Sequence, residues 1–410
     1  MARRRSLGRQ FGWLWAAFAV STAGSTLALN AFALIAILVL HSGPAGVSAL
    51  ASAGLAVGAV VAVPLGPWVE FRRKRPVMIA MDLIRFAALA SVPVTFALGY
   101  LSYPQLLVVS VIVAAATIAF RSASGACLKS LVRPADLLLA NGRFEATAWT
   151  ATALGPPLGG AALGLFGPLT TVVADAVSYL LSALGIGAIG GAEPRPVRTE
   201  TTRAAGLPGG WRYILAHPAL RLLLVNTSLV NALIMVGSPL LSVLMLGRLG
   251  FAPWQFGLAF GVPCTGGLIG SRLAGRLVER FGQHRVMLTS GALRACWPVG
   301  LAFTGPGAAG LVLVILVEFG LVTCCSVFNP VLATYRLEQI ATDRVARTLS
   351  AWSVTTNLST AALTGLWGLL ASLTGPRTAI AIAGLLLLVT PVLLPRRAHT
   401  PQRGPELART

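Results

Sequence analysis

Long apolar runs separated by short connections dominate this chain of 410 residues. A helix needs about 20 apolar residues to cross the hydrocarbon core of a bilayer. About twelve runs reach that length, and a polar segment at 193–217 follows the sixth. We therefore predict an all-α membrane protein with about twelve transmembrane helices. The predicted spans are 13–40, 46–68, 76–99, 104–126, 141–166, 168–192, 219–246, 253–278, 285–304, 308–333, 345–373 and 377–395.

The composition excludes several soluble classes of protein. Charged residues make up 11% of the chain and hydrophobic residues 56%, whereas an ordinary soluble domain is about 25% charged. So few charges cannot cover a soluble surface, which excludes a soluble enzyme, a disordered scaffold and a disulfide-rich secreted domain. The five cysteines show neither metal-ligand nor disulfide spacing. We expect no metal and no cofactor.

Basic residues occupy every second connection between the apolar runs, and the opposite connections hold almost none besides Arg248 and Arg377. The positive-inside rule then predicts that both termini and the segment 193–217 lie in the cytoplasm of a cell-membrane protein. The net charge is +20. We attribute it to basic residues that orient the chain in the membrane and contact anionic lipid, and not to nucleic-acid binding. The first run is too long for the core of a signal peptide, so it is predicted to be a retained span.

An internal repeat divides the chain at the polar segment. Gly66 and Glu70 recur 209 residues later as Gly275 and Glu279, and both copies end the second run of their half. Parallel halves of this kind bind substrate between them near the membrane midplane. The predicted parts are two six-helix bundles at 1–192 and 218–395, a cytoplasmic linker with an amphipathic segment at 193–217, and a basic tail at 396–410.

The stretch around Gly66 resembles the loop between helices two and three of major facilitator superfamily transporters. That pattern is a glycine, an acidic residue four positions later and a basic run, and Glu70 stands where the family usually has Asp. The resemblance implies an inner gate that holds the outward-open state, with topology alone as the competing interpretation. The gate residues would be Gly66, Glu70, Arg72, Arg73 and Arg75, with Gly275 and Glu279 as a degenerate second copy.

A second stretch resembles the motif of the drug–proton antiporter branch of that family, on Gly155, Pro156, Gly159 and Gly160. The second half has only Gly365 and Gly368 at the equivalent place. Stretches at 82–85, 175–179 and 329–347 resemble the subgroup of enterobactin exporters and macrolide-efflux-like proteins. The resemblance implies export. That subgroup often carries Gly-Asp in its first span, where this chain has Gly24-Ser25, so proton coupling would need another group or be absent.

Few acidic residues lie inside the predicted spans, so each is a candidate for proton coupling. Glu318 is about ten residues into the tenth run, near the bilayer centre, where an isolated carboxyl could exchange protons. A packing residue that stays protonated or hydrogen-bonded is the alternative. Asp175 and Asp82 are further candidates, although Asp175 favours a structural role and Asp82 can pair with Arg85 three residues later.

Polar residues in several runs are predicted to line a central cavity. For each one alone, hydrogen bonding between helices competes with a cavity role, and Arg121 could instead reach the inner surface. A cavity with few fixed charges suits amphipathic, neutral or weakly charged organic compounds. The candidates are Ser25, Asn30, Arg121, Asn226, Asn231, Trp352 and Asn357.

These features together favour a secondary active exporter of a small amphipathic compound, such as a drug, an antibiotic or a siderophore-like molecule, driven by proton antiport. No glycine-rich loop ending in Lys-Ser or Lys-Thr is present, so an ATP-driven pump is not expected. The expected partners are the small-molecule substrate, protons and membrane lipid, and the protein is expected to be a monomer that binds no nucleic acid. A metabolite importer or facilitator of the same fold is the alternative. A membrane enzyme is disfavoured because the four histidines are scattered, and a non-transporting receptor is disfavoured because no sensory or signalling domain is expected in the sequence.

Overall fold

A computed structural model of the protein describes residues 7–28, 31–40, 50, 56–58, 60–61, 63–190, 193 and 208–395. Its regular elements are all helical in this part of the chain. The first half contains α1 (Arg9–Leu27), α2 (Ala31–Leu38), α3 (Leu65–Glu70), α4 (Lys74–Ala97), α5 (Tyr103–Leu131), α6 (Leu137–Phe166) and α7 (Pro168–Gly187). The second half contains α8 (Gly209–Ala216), α9 (Pro218–Ser242), α10 (Pro253–Gly261), α11 (Pro263–Phe281), α12 (Gln283–Cys296), α13 (Gly307–Gln339), α14 (Val345–Thr374) and α15 (Pro376–Val389).

Several helices are extended by a tighter or wider turn. A π turn at Val243–Arg248 continues α9, and 3-10 turns at Pro298–Phe303 and Thr390–Leu393 follow α12 and α15. Seven helices, taken with these extensions, are long and apolar enough to cross a membrane within the described residues. They are Lys74–Ala97, Tyr103–Leu131, Leu169–Gly187, Pro218–Arg248, Gln283–Phe303, Gly307–Gln339 and Pro376–Leu393. This confirms an all-α membrane protein.

Two predicted spans are divided rather than continuous. The first run is split between α1 and α2, and the eighth run is split between α10 and α11. Pro263 begins α11, where its missing N–H is not needed because the first turn of a helix has no internal acceptor for it. Two other helices begin with Gly-Pro, at Pro168 and Pro376, and the preceding glycines have φ of 80° and 87°. Glycine adopts this left-handed conformation without a steric penalty.

The buried apolar residues form one large shared cluster, a small shared one around Ile118 and Val354, and two separate ones. The large shared cluster joins both halves, for example Ala123 of α5 with Leu349 and Ala351 of α14. Its members lie on the side of the basic connections, which we call the inner side. One separate cluster contains only first-half residues such as Leu89, and the other only second-half residues such as Leu233. The halves are therefore packed together on the inner side and have separate cores toward the outer side.

The short helix α8 lies in the region predicted to be the linker. Ile214 is buried, the Trp211 indole N–H donates to Thr355 Oγ1 at 3.0 Å, and the Tyr213 hydroxyl donates to the carbonyl of Gln339 at 3.1 Å. The amphipathic segment thus packs on the inner ends of α13 and α14. The rest of the predicted linker and the basic tail at 396–410 lie outside the described residues, apart from 193, 208 and 217.

Two glycines of α6 allow α1 to approach closely. A Cβ atom at Gly159 would lie 2.5 Å from the carbonyl oxygen of Leu27, and one at Gly155 would lie 2.6 Å from Cβ of Thr26. Such spacing leaves no room for a side chain. At Gly365 and Gly368 of α14, no heavy atom lies within 4 Å of the same position. The glycines of the first half are therefore packing residues, and those of the second half are not.

We predict that Gly159→Ala destabilises the protein and that the matched change Gly368→Ala does not. The first change forces α1 and α6 apart, at a cost of about 1–3 kcal/mol typical of overpacking. The second change meets open space and removes a poor helix former, which is worth up to about 1 kcal/mol in the other direction. Thermal unfolding in detergent micelles measures both. Equal effects of the two changes would contradict the close contact.

Candidate functional site

A cavity of about 930 Å³ lies between α6 and the helices of the second half. Its size is typical of sites for drug-sized molecules. Most of its wall is apolar and comes from α6, α9, α10, α13 and α15. The charged and amide side chains on the wall are Asn231, Arg294, Glu318 and Asn329, beside the hydroxyls of Thr152 and Ser238.

Glu318 is the one acidic residue on this wall, and it is half-buried in α13. It makes no hydrogen bond or ion pair with any described residue. The thiols of Cys264 and Cys325 are among its neighbours. A carboxyl without a partner inside a membrane is costly, and it is free to bind a proton or a cationic group that enters the cavity.

Asp175 belongs instead to a hydrogen-bonded contact between α1 and α7. Its Oδ1 accepts from Ser25 Oγ at 3.1 Å, and the Ser25 hydroxyl shares a hydrogen bond of 2.8 Å with the Tyr179 hydroxyl. Gly24 allows this approach, because a Cβ there would collide with Ser178. Ser25 and Asp175 are thus used in packing α1 on α7 and lie away from the cavity wall.

Asp82 forms a buried ion pair with Arg85, in the arrangement that the spacing of three predicts. The guanidinium also lies 4.5 Å from the ring centre of Phe120 and 4.1 Å from that of Tyr179. These contacts join α4, α5 and α7. The pair has no access to the cavity described above, since Asp82 is fully buried.

Arg294, which repeats Arg85 in the second half, uses a neutral partner. It donates to Asn226 Oδ1 at 2.7 Å and lies 3.6 Å from the ring centre of Phe328. The amide nitrogen of Asn226 donates to the carbonyl of Thr390 at 2.8 Å. Asn226 is therefore fully buried and holds Arg294, where the first half uses Asp82.

The remaining cavity candidates fall in different places. Asn231 is exposed on the cavity wall. Trp352 is buried beneath the Arg336 guanidinium at 4.8 Å, and Asn357 is half-buried outside that wall. Arg121 is exposed inside the bundle, and Asn30 lies outside the described residues.

Polar contacts join the two halves below the cavity. Arg347 Nε lies 3.0 Å from Glu70 Oε2, and both side chains are buried. Glu145 Oε1 accepts from the Asn329 amide at 2.9 Å and from the Trp149 indole at 3.0 Å, and both donors also line the cavity. We call these contacts the inner seam, together with Asn141–Thr334 and Lys129–Ile340.

The other residues predicted to form a gate lie around this seam. Arg75 donates to the carbonyls of Ile189 and Gly190 at 3.0 and 3.1 Å and so ties the start of α4 to the end of α7. Arg72 is exposed, 4.7 Å from the ring centre of Trp68, and Arg73 is exposed too. In the second copy, Glu279 is exposed and Gly275 has open space beside it. Gly66 lies in α3, and Pro156 and Gly160 lie in the unbroken helix α6.

Sequence reasoning identified Glu70 and missed its partners in the inner seam. Arg347 stood out only as part of a family-like stretch, and nothing in its spacing points to Glu70, which is 277 residues away. For the contact of Glu145 with Trp149, the spacing of four was the available signal, because residues four apart share a helix face.

The sequence profile of the Major Facilitator Superfamily matches residues 14–334. The multidrug efflux pump Tap of Mycolicibacterium fortuitum is 27% identical over 332 residues, which are 77% of this chain and 80% of the pump. The Tap pump of Mycobacterium tuberculosis is 28% identical over 288 residues, 66% of this chain and 67% of the pump.

Solved structures share the fold over nearly the whole chain. A bacterial homologue of the iron transporter ferroportin, in an outward-facing state, has a TM-score of 0.79 at 18% identity and covers 94% of this chain and 98% of its own. The Escherichia coli fucose:proton symporter FucP has a TM-score of 0.74 at 15% identity, with coverages of 97% and 100%. This likeness confirms two six-helix bundles. The chain therefore belongs to the Major Facilitator Superfamily, and it is a multi-pass membrane transporter and not an enzyme.

Proposed function

We propose that this transporter exports a small amphipathic organic compound from the cytoplasm by proton antiport. The observation that carries the proposal is Glu318, a carboxyl with no partner among the described residues, on the apolar wall of a drug-sized cavity. The similarity to multidrug efflux pumps supports the outward direction. In the membrane of the cell, the basic side of the bundle would face the cytoplasm.

Competition for Glu318 would couple the two fluxes. The carboxyl takes a proton from the outer side and releases it to the inner side, and the substrate occupies the cavity while the carboxyl is ionised. One charge crossing 100 mV supplies about 2.3 kcal/mol, which corresponds to roughly 50-fold accumulation of substrate. The two bundles would rock about the cavity between these states.

The inner seam would be the gate that opens toward the cytoplasm. Its contacts lie directly below the cavity, so substrate cannot enter from the inner side until they separate. The ion pair of Glu70 with Arg347 is its most buried polar contact. The free energy lost by removing such a pair from water can exceed the attraction between its charges. The pair therefore adds little net stability to the closed seam, so the seam can open again.

We predict that Glu318→Gln abolishes substrate-induced proton movement. Respiring inside-out vesicles with a pH-sensitive dye are given a panel of amphipathic antibiotics and dyes. The wild type should move protons out of the lumen on addition of a substrate, and Glu318→Gln should reduce this by about tenfold or more because the amide binds no proton. The matched control is Asp136→Asn, which alters a carboxyl paired with Arg133 outside the membrane at 2.8 Å.

Two outcomes would overturn parts of this proposal. Unchanged proton release in Glu318→Gln would remove Glu318 from coupling and leave Asp175 and Asp82 as the remaining carboxyl candidates. Downhill flux of a compound without proton release would reject antiport and favour a facilitator or an importer.

The inner seam generates a second prediction, on pH. Burial is the largest effect on Glu70 and raises its pKa to about 7. The positive charge of Arg347 opposes this increase, and the charges of Asp343, Lys74 and Arg344 have smaller effects. Opening the seam hydrates Glu70 and returns its pKa toward 4.5. The closed seam thus binds the proton more tightly, so acidification below pH 7 favours closure. Raising the pH through 7 favours opening, by about tenfold between pH 6 and 8.

Spin-label distances between the inner ends of α5 and α14 measure this equilibrium. In the wild type, the fraction of molecules with a long distance between the two labels should rise from pH 6 to pH 8. Glu70→Gln should remove this rise. Glu279→Gln changes the exposed second copy and should keep it. A wild-type population that is flat, or that falls as the pH rises, would contradict the assignment to Glu70.

A further inference from the structure

Arg121 lies inside the membrane-spanning bundle and yet is exposed. It is ten residues from the inner end of α5, which is about 15 Å along the helix. The face of α5 on which Arg121 lies decides whether it is exposed to lipid or to a space within the protein.

The face of α5 that carries Arg121 is turned toward the second half. Four residues further along, a Cβ at Gly125 would collide with the side chain of Leu349 on α14. Three residues earlier, Ile118 packs in a buried cluster with Val354 of α14. Positions three and four apart share one helix face, so Arg121 faces the space between the two halves.

The guanidinium has no hydrogen bond and no ion pair with any described residue. Arg85 and Tyr179 are the ionisable groups that interact electrostatically with Arg121. Arg85 is already paired with Asp82. The undescribed residues of the first and second spans contain no Asp or Glu. Arg294 and Arg336, by contrast, are held by Asn226 and by the Trp352 ring.

We propose that Arg121 binds an anionic group, a carboxylate or a related oxyanion, on the exported compound. This inference rests on the proposed export function and narrows the substrate to amphipathic compounds with an acidic group. An unpaired cation inside a membrane is costly, and a guanidinium matches a carboxylate with two parallel hydrogen bonds. An anionic ligand would therefore supply the partner that no described residue provides.

Binding of matched pairs of compounds tests the proposal. Each pair is an aromatic amphipathic carboxylic acid and its carboxamide, with the rest of the molecule unchanged, and binding to the purified full chain in dodecyl maltoside is measured by equilibrium dialysis. We expect the wild type to bind the acids about 10- to 100-fold more tightly, as for a buried charged hydrogen bond. Arg121→Gln should remove this preference without weakening the amides, and Arg121→Lys should retain part of it.

The control is Arg212→Gln, which alters an exposed residue of α8 and should keep the preference. Equal binding of acids and amides by the wild type would overturn the proposal, as would the absence of binding by any acid. Equal weakening of both members of a pair in Arg121→Gln would indicate a structural role instead. Thermal unfolding of both Arg121 variants identifies a variant that merely fails to fold. Arg121→Lys serves as the reference because it keeps the charge.

The vesicle assay separates this inference from the export proposal. If amides drive proton release through Glu318 as well as acids do, export stands and the role of Arg121 falls. If acid binding depends on Arg121 but no compound moves protons, the anion site stands and proton-driven export falls.

Discussion

The energetic cost of a charge inside a membrane organises this structure. Asp82 and Arg85 neutralise each other, and Glu70 and Arg347 pair across the inner seam. In each case the pairing also holds helices together. Arg121 and Glu318 break the pattern, since neither has a partner among the described residues. Arg121 faces the space between the halves, and Glu318 lines the cavity. The charged groups without a described partner therefore lie where a bound ligand could supply one.

The two halves repeat the same order of helices, but equivalent residues make different contacts. Glu70 is buried in an ion pair while its counterpart Glu279 is exposed. Gly159 touches the backbone of α1, whereas no atom approaches the equivalent region of α14 at Gly368. The two halves therefore share helix positions without sharing the contacts at these positions. Most of the cavity wall comes from the second half.

Helix positions followed from the sequence because apolar length and Gly-Pro boundaries are local properties. The place of Glu318 well inside α13 followed as well, since it depends only on one run, whereas its lack of a described partner did not follow. The sequence could not predict that Ser25 binds Asp175, or that Asn226 is occupied by Arg294. These partners lie on different helices, and periodicity identifies a helix face without identifying the neighbour that packs on it. The division of the first run into α1 and α2 was missed for another reason, because apolar residues continue through it.

The positions of Arg121 and Glu318 restrict how antiport can work. An anion held by Arg121 does not by itself compete with a proton for Glu318, because Arg121 is not among the residues of the wall that carries Glu318. Antiport therefore requires the cargo to present a cationic or hydrogen-bond-donating group to Glu318, so that cargo and proton compete for one carboxyl. A compound with both groups carries no net charge, and its exchange for one proton moves a single charge across the membrane. An amphipathic compound with both groups would thus offer an anionic partner to Arg121 and would compete with the proton for Glu318.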